Sequence, residues 1–135
     1  MSSRDLIEPL VLDASAMVEL LIGTETGRRI DTRIRDHDVN VPAHFDAEVM
    51  SALGRLHRSG RIEASQVTER LGQLEESPFV RHNLQPLLQG AWELRDNLRL
   101  VDALYVELAT RLTARLITAD QSLANASEIA EVPGS

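Results

Sequence analysis

The sequence predicts an α/β fold, a three-layer α/β/α sandwich around a central parallel sheet. Short apolar runs alternate with longer helix-like segments along the chain, the pattern of a parallel sheet covered on both faces. Glycine and proline are scattered as punctuation, and no linker, internal repeat or low-complexity tract is visible. Residues 1–135 therefore read as one domain.

The elements follow in order. Pro9 precedes LVLD, residues 10–13, an apolar run suited to a buried strand, and residues 14–22 read as a helix stopped by Gly23. Thr24 can cap a second helix running to about residue 37, and VNVP, residues 39–42, reads as a short strand ended by proline. A long helix is predicted over 43–59, closed by Gly60. Its stripe is Phe45, Val49, Met50, Leu53 and Leu56. Ser65 caps a helix to about residue 76, and PFVRHNL, residues 78–84, alternates as a strand. Pro86 suits the first turn of a helix reaching about residue 97. The next helix, about 100–113, carries Val101, Leu104, Tyr105, Leu108 and Leu112 on one stripe. RLIT, residues 115–118, is a strand, Asp120 opens a short helix, and residues 128–132 offer a last strand.

Composition removes several chemistries. The chain has no cysteine, so disulfides, thiol nucleophiles and zinc-thiolate sites are excluded, in keeping with a cytosolic protein. All 14 basic residues are arginine, which excludes mechanisms that need a lysine on a phosphate or in a Schiff base. No apolar stretch is long enough for a membrane span, and MSSRDLIEPL lacks the basic and apolar regions of a signal peptide. A net charge of −7 argues against a surface that is basic throughout. It also fits carboxylates gathered around a cation.

Four acids carry the chemistry. Asp13 ends the first strand and Asp120 follows the strand RLIT, which in a parallel sheet is the same edge, where ligands sit. Asp102 lies in the first turn of its helix, on the flank of the buried stripe. On the helix beginning HFDAE, periodicity does not choose between Asp46 and Glu48. Each acid taken singly reads more simply as a helix cap or a first-turn acid. Together they repel unless a cation compensates them. An all-oxygen donor set favours Mg²⁺ or Mn²⁺, and the matching chemistry is hydrolysis of RNA or DNA phosphodiesters.

LVLDASAMVELL, AEVMSALGRL, RLVDALYVELATRL and LITADQSLA, taken in this order and spacing, resemble the four acidic motifs of PIN-domain proteins, most of all the VapC-type toxins of type II toxin-antitoxin pairs. The resemblance spans nearly the whole chain. It implies a PIN fold and a Mg²⁺- or Mn²⁺-dependent endoribonuclease, with Asp13, Glu48, Asp102 and Asp120 as catalytic residues and metal ligands. Glu48 is preferred to Asp46 on the family pattern alone. Ser15 and Thr118 fall where the family often places small hydroxyl residues near the metal, and Val101 replaces an aromatic common before the third acid. The resemblance also implies a homodimer and a VapB-type antitoxin lying across the early helices.

The remaining features have plainer readings. His37, His44, His57 and His82 are scattered and read as solvated or locally hydrogen-bonded. Arginines of the central helices, with Arg55, Arg58 and Arg61 leading away from the acids, are either RNA-phosphate contacts or solvated helix faces. The helix after Asp13, apolar nearly all round, reads as buried and also as an interface. The rival functions are a non-catalytic binding module and a DNA-directed nuclease using the same acids.

Overall fold

The computed structural model describes residues 7–134. The leader question raised by MSSRDLIEPL falls mostly on residues 1–6, outside the described residues. The elements are β1 (Pro9–Leu12), α1 (Ala14–Ile22), α2 (Glu25–Ile34), β2 (Asp38–Pro42), α3 (Phe45–Arg58) and α4 (Ala64–Glu76). They continue as β3 (Val80–His82), a 3₁₀ turn (Gln85–Leu87), α5 (Leu88–Trp92), α6 (Leu100–Leu112), β4 (Arg115–Ile117), α7 (Gln121–Ala126) and β5 (Ala130–Glu131). The five strands form one sheet in the order β3-β2-β1-β4-β5, with every pair parallel.

This order decides where the acids go. β1 lies at the centre, so Leu10, Val11 and Leu12 are buried under helices on both faces, as a wholly apolar strand requires. α6 packs over β1, β2 and β4, while α1 packs on α2 and α3. The β1–β4 register sets Leu12 against Ile117, and the Asp13 amide donates to the Ile117 carbonyl at 3.1 Å. The residues just past both strands are thereby neighbours, although more than a hundred positions separate them in sequence.

Several boundaries and faces differ from the sequence expectation. α2 stops at Ile34 instead of about residue 37, because the chain turns at Asp36 through a left-handed φ of 66°. α4 is capped by Glu63, not Ser65, in a capping box with Gln66. The helix expected from Pro86 to about residue 97 breaks at Trp92 into successive turns. β3 and β5 are shorter than the runs that suggested them.

Met50 and Val101 were expected in core stripes but are exposed, at 54% and 42%. Each lines an open hollow, Met50 beside Leu71 and Leu74 of α4 and Val101 beside Leu88 and Trp92 of α5, and α6 instead buries Ala103, Tyr105, Val106, Leu108 and Ala109. The apolar α1 buries Ala16, Met17 and Leu21, while Ile22 at its end is exposed. On the edge strand β5, Glu131 accepts from both Arg33 and Arg115, and these guanidiniums hold its carboxyl below the ordinary range. No helix among the described residues is long and apolar enough to cross a membrane.

Candidate functional site

Asp13 is the first side chain past β1, and it caps α1 by accepting from the Ala16 amide at 2.9 Å. Its other partners are hydroxyls. Ser15 donates to Oδ1 at 2.7 Å, and Thr118, fully buried just past β4, donates to Oδ2. Thr118 in turn accepts from the Asp120 amide, and Ser15 accepts from the Ala119 amide at 3.1 Å. These bonds lock the β1–α1 turn to the β4–α7 turn. Ser15 and Thr118 both bond Asp13 directly.

Asp13 is only 5% exposed. Burial pushes its carboxyl up to about 6, against the lowering effect of its bonds from Thr118, Ala16 and Ser15; the Asp102 charge pushes in the same direction as burial. Among the described residues its hydrogen-bond partners are all neutral. A carboxylate held this far from water, with its hydrogen bonds already made, is electrostatically under-compensated.

The other three predicted acids share its hollow. Asp13, Glu48, Asp102 and Asp120 all line one cleft of about 290 Å³. Glu48 reaches it from α3, Asp102 from the first turn of α6, and Asp120 from the start of α7, where it caps the helix through the Ser122 and Leu123 amides. For Asp13 and Asp120, the cap reading and the cleft reading are both true. One carboxylate performs each pair of tasks.

The ambiguity on α3 resolves in space. Asp46 points to the other side of the helix, where Arg81 of β3 grips it with two bonds at 2.8 and 2.9 Å. Glu48 turns into the cleft and accepts from the Tyr105 hydroxyl at 2.5 Å. His44, one turn earlier, packs at a tilt against Tyr105 with ring centroids 4.8 Å apart. Its Nε2 lies 3.3 Å from the Val101 carbonyl and 3.4 Å from Glu48 Oε1. Burial, then the bond to Glu48, pushes the Tyr105 phenol far above its ordinary range, so it stays a donor. His44 and Tyr105 thus tie the helix of the second acid to the helix of the third.

Four cleft residues escaped the sequence reading. Tyr105 looked like one more member of an apolar stripe. Glu19 adds a fifth carboxylate to the lining, turned aside by a bond from Thr24. Arg99 holds Asp102, and Arg55, expected to lead away from the acids, lines the cleft with Nη1 bonded to Ser51. The i, i+7 spacing of Glu48 and Arg55 on one helix was the signal available for the last of these. The other histidines have local partners: His37 meets the Arg35 carbonyl, His57 the Ile62 carbonyl and His82 the Asn40 side chain.

A parallel sheet whose carboxyl edge gathers four acids in one cleft defines an α/β domain with an acidic ligand edge. Residues 10–129 match the family model described as PIN domain, and the chain belongs to the PIN-domain family, in its VapC branch. It is 48% identical over 120 residues to Ribonuclease VapC3 of Mycobacterium tuberculosis, covering 88% of each chain. Ribonuclease VapC12 of the same organism is 37% identical over 85% of this chain and 89% of its own length. Among solved structures, that of PAE2754 from Pyrobaculum aerophilum superposes with a TM-score of 0.67 at 24% identity, covering 92% of this chain and 82% of that one. A toxin-antitoxin complex from Klebsiella pneumoniae has a TM-score of 0.65 at 18% identity, covering 92% and 97%. At such identities these two likenesses speak for the fold alone.

Proposed function

We propose that the chain is a Mg²⁺- or Mn²⁺-dependent endoribonuclease, the toxin of a VapBC-type pair, with Asp13, Glu48, Asp102 and Asp120 as its metal-binding and catalytic acids. The observation that carries the reading is the shared cleft: four acids from four separate helix starts line one small hollow, and the most buried of them has no ion pair among the described residues. The names of the 48% and 37% identical relatives point the same way.

The donor set fits the metal. Every candidate ligand is a carboxylate oxygen, the hard donor that Mg²⁺ and Mn²⁺ prefer. When bound, the ion would supply a water of lowered pKa and would stabilise charge on the phosphate. The chain's own residues aim the donors: Ser15 and Thr118 orient Asp13, Tyr105 and His44 orient Glu48, and the α7 amides fix Asp120. As the side chains stand, no three acids or imidazoles among the described residues are gathered tightly enough to hold one ion. Binding would therefore need small rotations of these side chains.

RNA cleavage is expected in Mn²⁺ and Mg²⁺ and not in EDTA, with DNA of the same sequence left intact under identical salt. Turnover in EDTA overturns the metal mechanism, and equal cleavage of DNA overturns the substrate assignment. On α3 the two acids should separate cleanly. Glu48→Gln is expected to lower kcat by about a hundredfold or more, a loss of about 3 kcal/mol of transition-state stabilisation. Asp46→Asn removes only the Arg81 bond and should leave cleavage within about twofold, with at most about 1 kcal/mol lost from folding. The reverse ranking would remove Glu48 from the site.

The partners fit the apolar surface. Val18 lines the cleft beside Glu19 and Ile22 ends the same helix, so an antitoxin segment laid along α1 would cover the cleft mouth. A separate apolar hollow of about 490 Å³, lined by Leu88, Trp92, Leu100 and Val101 among others, offers a surface for a second copy. The absence of cysteine suits the reducing cytoplasm in which such a pair would work.

A further inference from the structure

Arg99 immediately precedes α6 and lines the acidic cleft. Its guanidinium takes both oxygens of Asp102, Nε donating to Oδ2 at 2.9 Å and Nη2 to Oδ1 at 3.3 Å. The two partners differ in freedom. Asp102 is 18% exposed, whereas the Arg99 side chain is 74% exposed and makes no other hydrogen bond or ion pair described in the structure. The bond to Asp102 raises the pKa of Arg99, and the charges of Asp120 and Glu48 add to that effect.

A divalent ion approaching the Asp102 oxygens that face Arg99 is repelled by the guanidinium, since two cations would meet across one carboxylate. The arginine is the group that can leave. An exposed ion pair is worth little, so breaking it costs little, and the freed fork has the shape and charge to bind phosphate oxygens in pairs. The cleft needs such a group: five carboxylates line it, and only Arg55 and Arg99 bring positive charge. Arg55 is anchored to Ser51.

We propose that Arg99 is the resident counter-ion of the cleft, displaced from Asp102 by the incoming divalent ion and then free to bind a phosphate of the RNA backbone. This rests on the metal-dependent ribonuclease reading and adds to it an order of events. Asp102 is kept paired before the metal arrives, and the same guanidinium is delivered to the substrate afterwards. Arg99 is therefore a competitor for the metal and an ally of the RNA.

The two roles have opposite signatures. Mn²⁺ binding to the full chain is measured by titration calorimetry without RNA, for wild type, Arg99→Gln and Arg99→Lys. Steady-state cleavage of a short single-stranded RNA at saturating Mn²⁺ gives KM and kcat for each. Arg99→Gln should bind Mn²⁺ about two- to fivefold more tightly, the range an exposed ion pair supports, while its KM for RNA rises about three- to tenfold and kcat stays within about twofold. Arg99→Lys keeps the charge but loses the fork, and should fall between the two on both scales.

Thermal unfolding of the exposed-site variants should match wild type within about 2 °C. Unchanged or weaker Mn²⁺ affinity in Arg99→Gln overturns the counter-ion role, and unchanged KM overturns the phosphate role. Both failures leave the ribonuclease reading standing, provided wild type binds Mn²⁺ and cuts RNA with it. A wild-type chain that binds no Mn²⁺ overturns that reading and the proposal together.

Discussion

Asp13→Asn is expected to abolish RNA cleavage and, in EDTA above pH 7, to make the protein more stable. The loss of activity should reach about a thousandfold or more, because the most buried acid of the cleft can no longer balance a cation. The gain in stability follows from linkage. The folded chain holds the Asp13 proton up to about pH 6, whereas the ordinary value is 3.8. As the pH rises from 3.8 through 6, the unfolded chain releases this proton first, so stability falls across that window and levels off above it.

At pH 8 the ionised, buried carboxylate therefore costs the fold about 3 kcal/mol by this measure. Asparagine keeps an oxygen for Ser15 and Ala16 and offers Thr118 an amide donor, so it should recover about 2 kcal/mol, roughly 5 °C in Tm. Mn²⁺ should raise the Tm of wild type and leave that of Asp13→Asn unchanged. A variant that melts lower than wild type in EDTA, or still cuts RNA, contradicts the placement of this charge.

Gly27→Ala is expected to destabilise the fold by about 3 kcal/mol, the upper end of what overpacking costs. Gly27 lies in the first turn of α2, buried against the end of α1. A Cβ there would lie 2.0 Å from the Glu19 carbonyl oxygen and 2.8 Å from the Leu20 amide, both backbone atoms that no rotamer change can clear. The helices must separate, and α1 carries Ser15 and Glu19 into the cleft. Reduced Mn²⁺ affinity should accompany the lower Tm. Gly72→Ala is the contrast, because its Cβ meets nothing within 4 Å on α4, and it should gain about 0.5–1 kcal/mol. Equal Tm shifts in the two variants would show that α1 and α2 do not approach this closely.

What was legible in the sequence was local. LVLD followed at once by ASAMVELLI sets strand, turn and helix within adjacent residues, and Asp120 opening its helix is a cap pattern of the same short range. The carboxyl edge followed from strand and helix alternation, so Asp13 and Asp120 were placed together before any contact was known. Asp46 and Glu48 were not separable in this way. Arg81 on an edge strand takes one and Tyr105 on α6 takes the other, and neither partner is visible to helical periodicity.

The same limit hid Arg99 and Tyr105, whose roles depend on what another element presents. It also misplaced Met50 and Val101, since an apolar stripe records which residues would gain from burial and not which flank finds a neighbour. The early end of α5 belongs with these. Nothing in residues 93–97 forbids a helix, but the chain turns there to reach the start of α6.

The pairing of β1 with β4 bears on how such a chain is made. Thr118 and Asp120, which complete the surroundings of Asp13, follow β4, and β4 must slot in beside a strand that precedes it by more than a hundred residues. During translation the early helices emerge with a strand edge still open and one acid stranded on it. A fragment lacking residues beyond 114 would carry Asp13, Glu48 and Asp102 without the strand and the hydroxyl that complete the surroundings of Asp13.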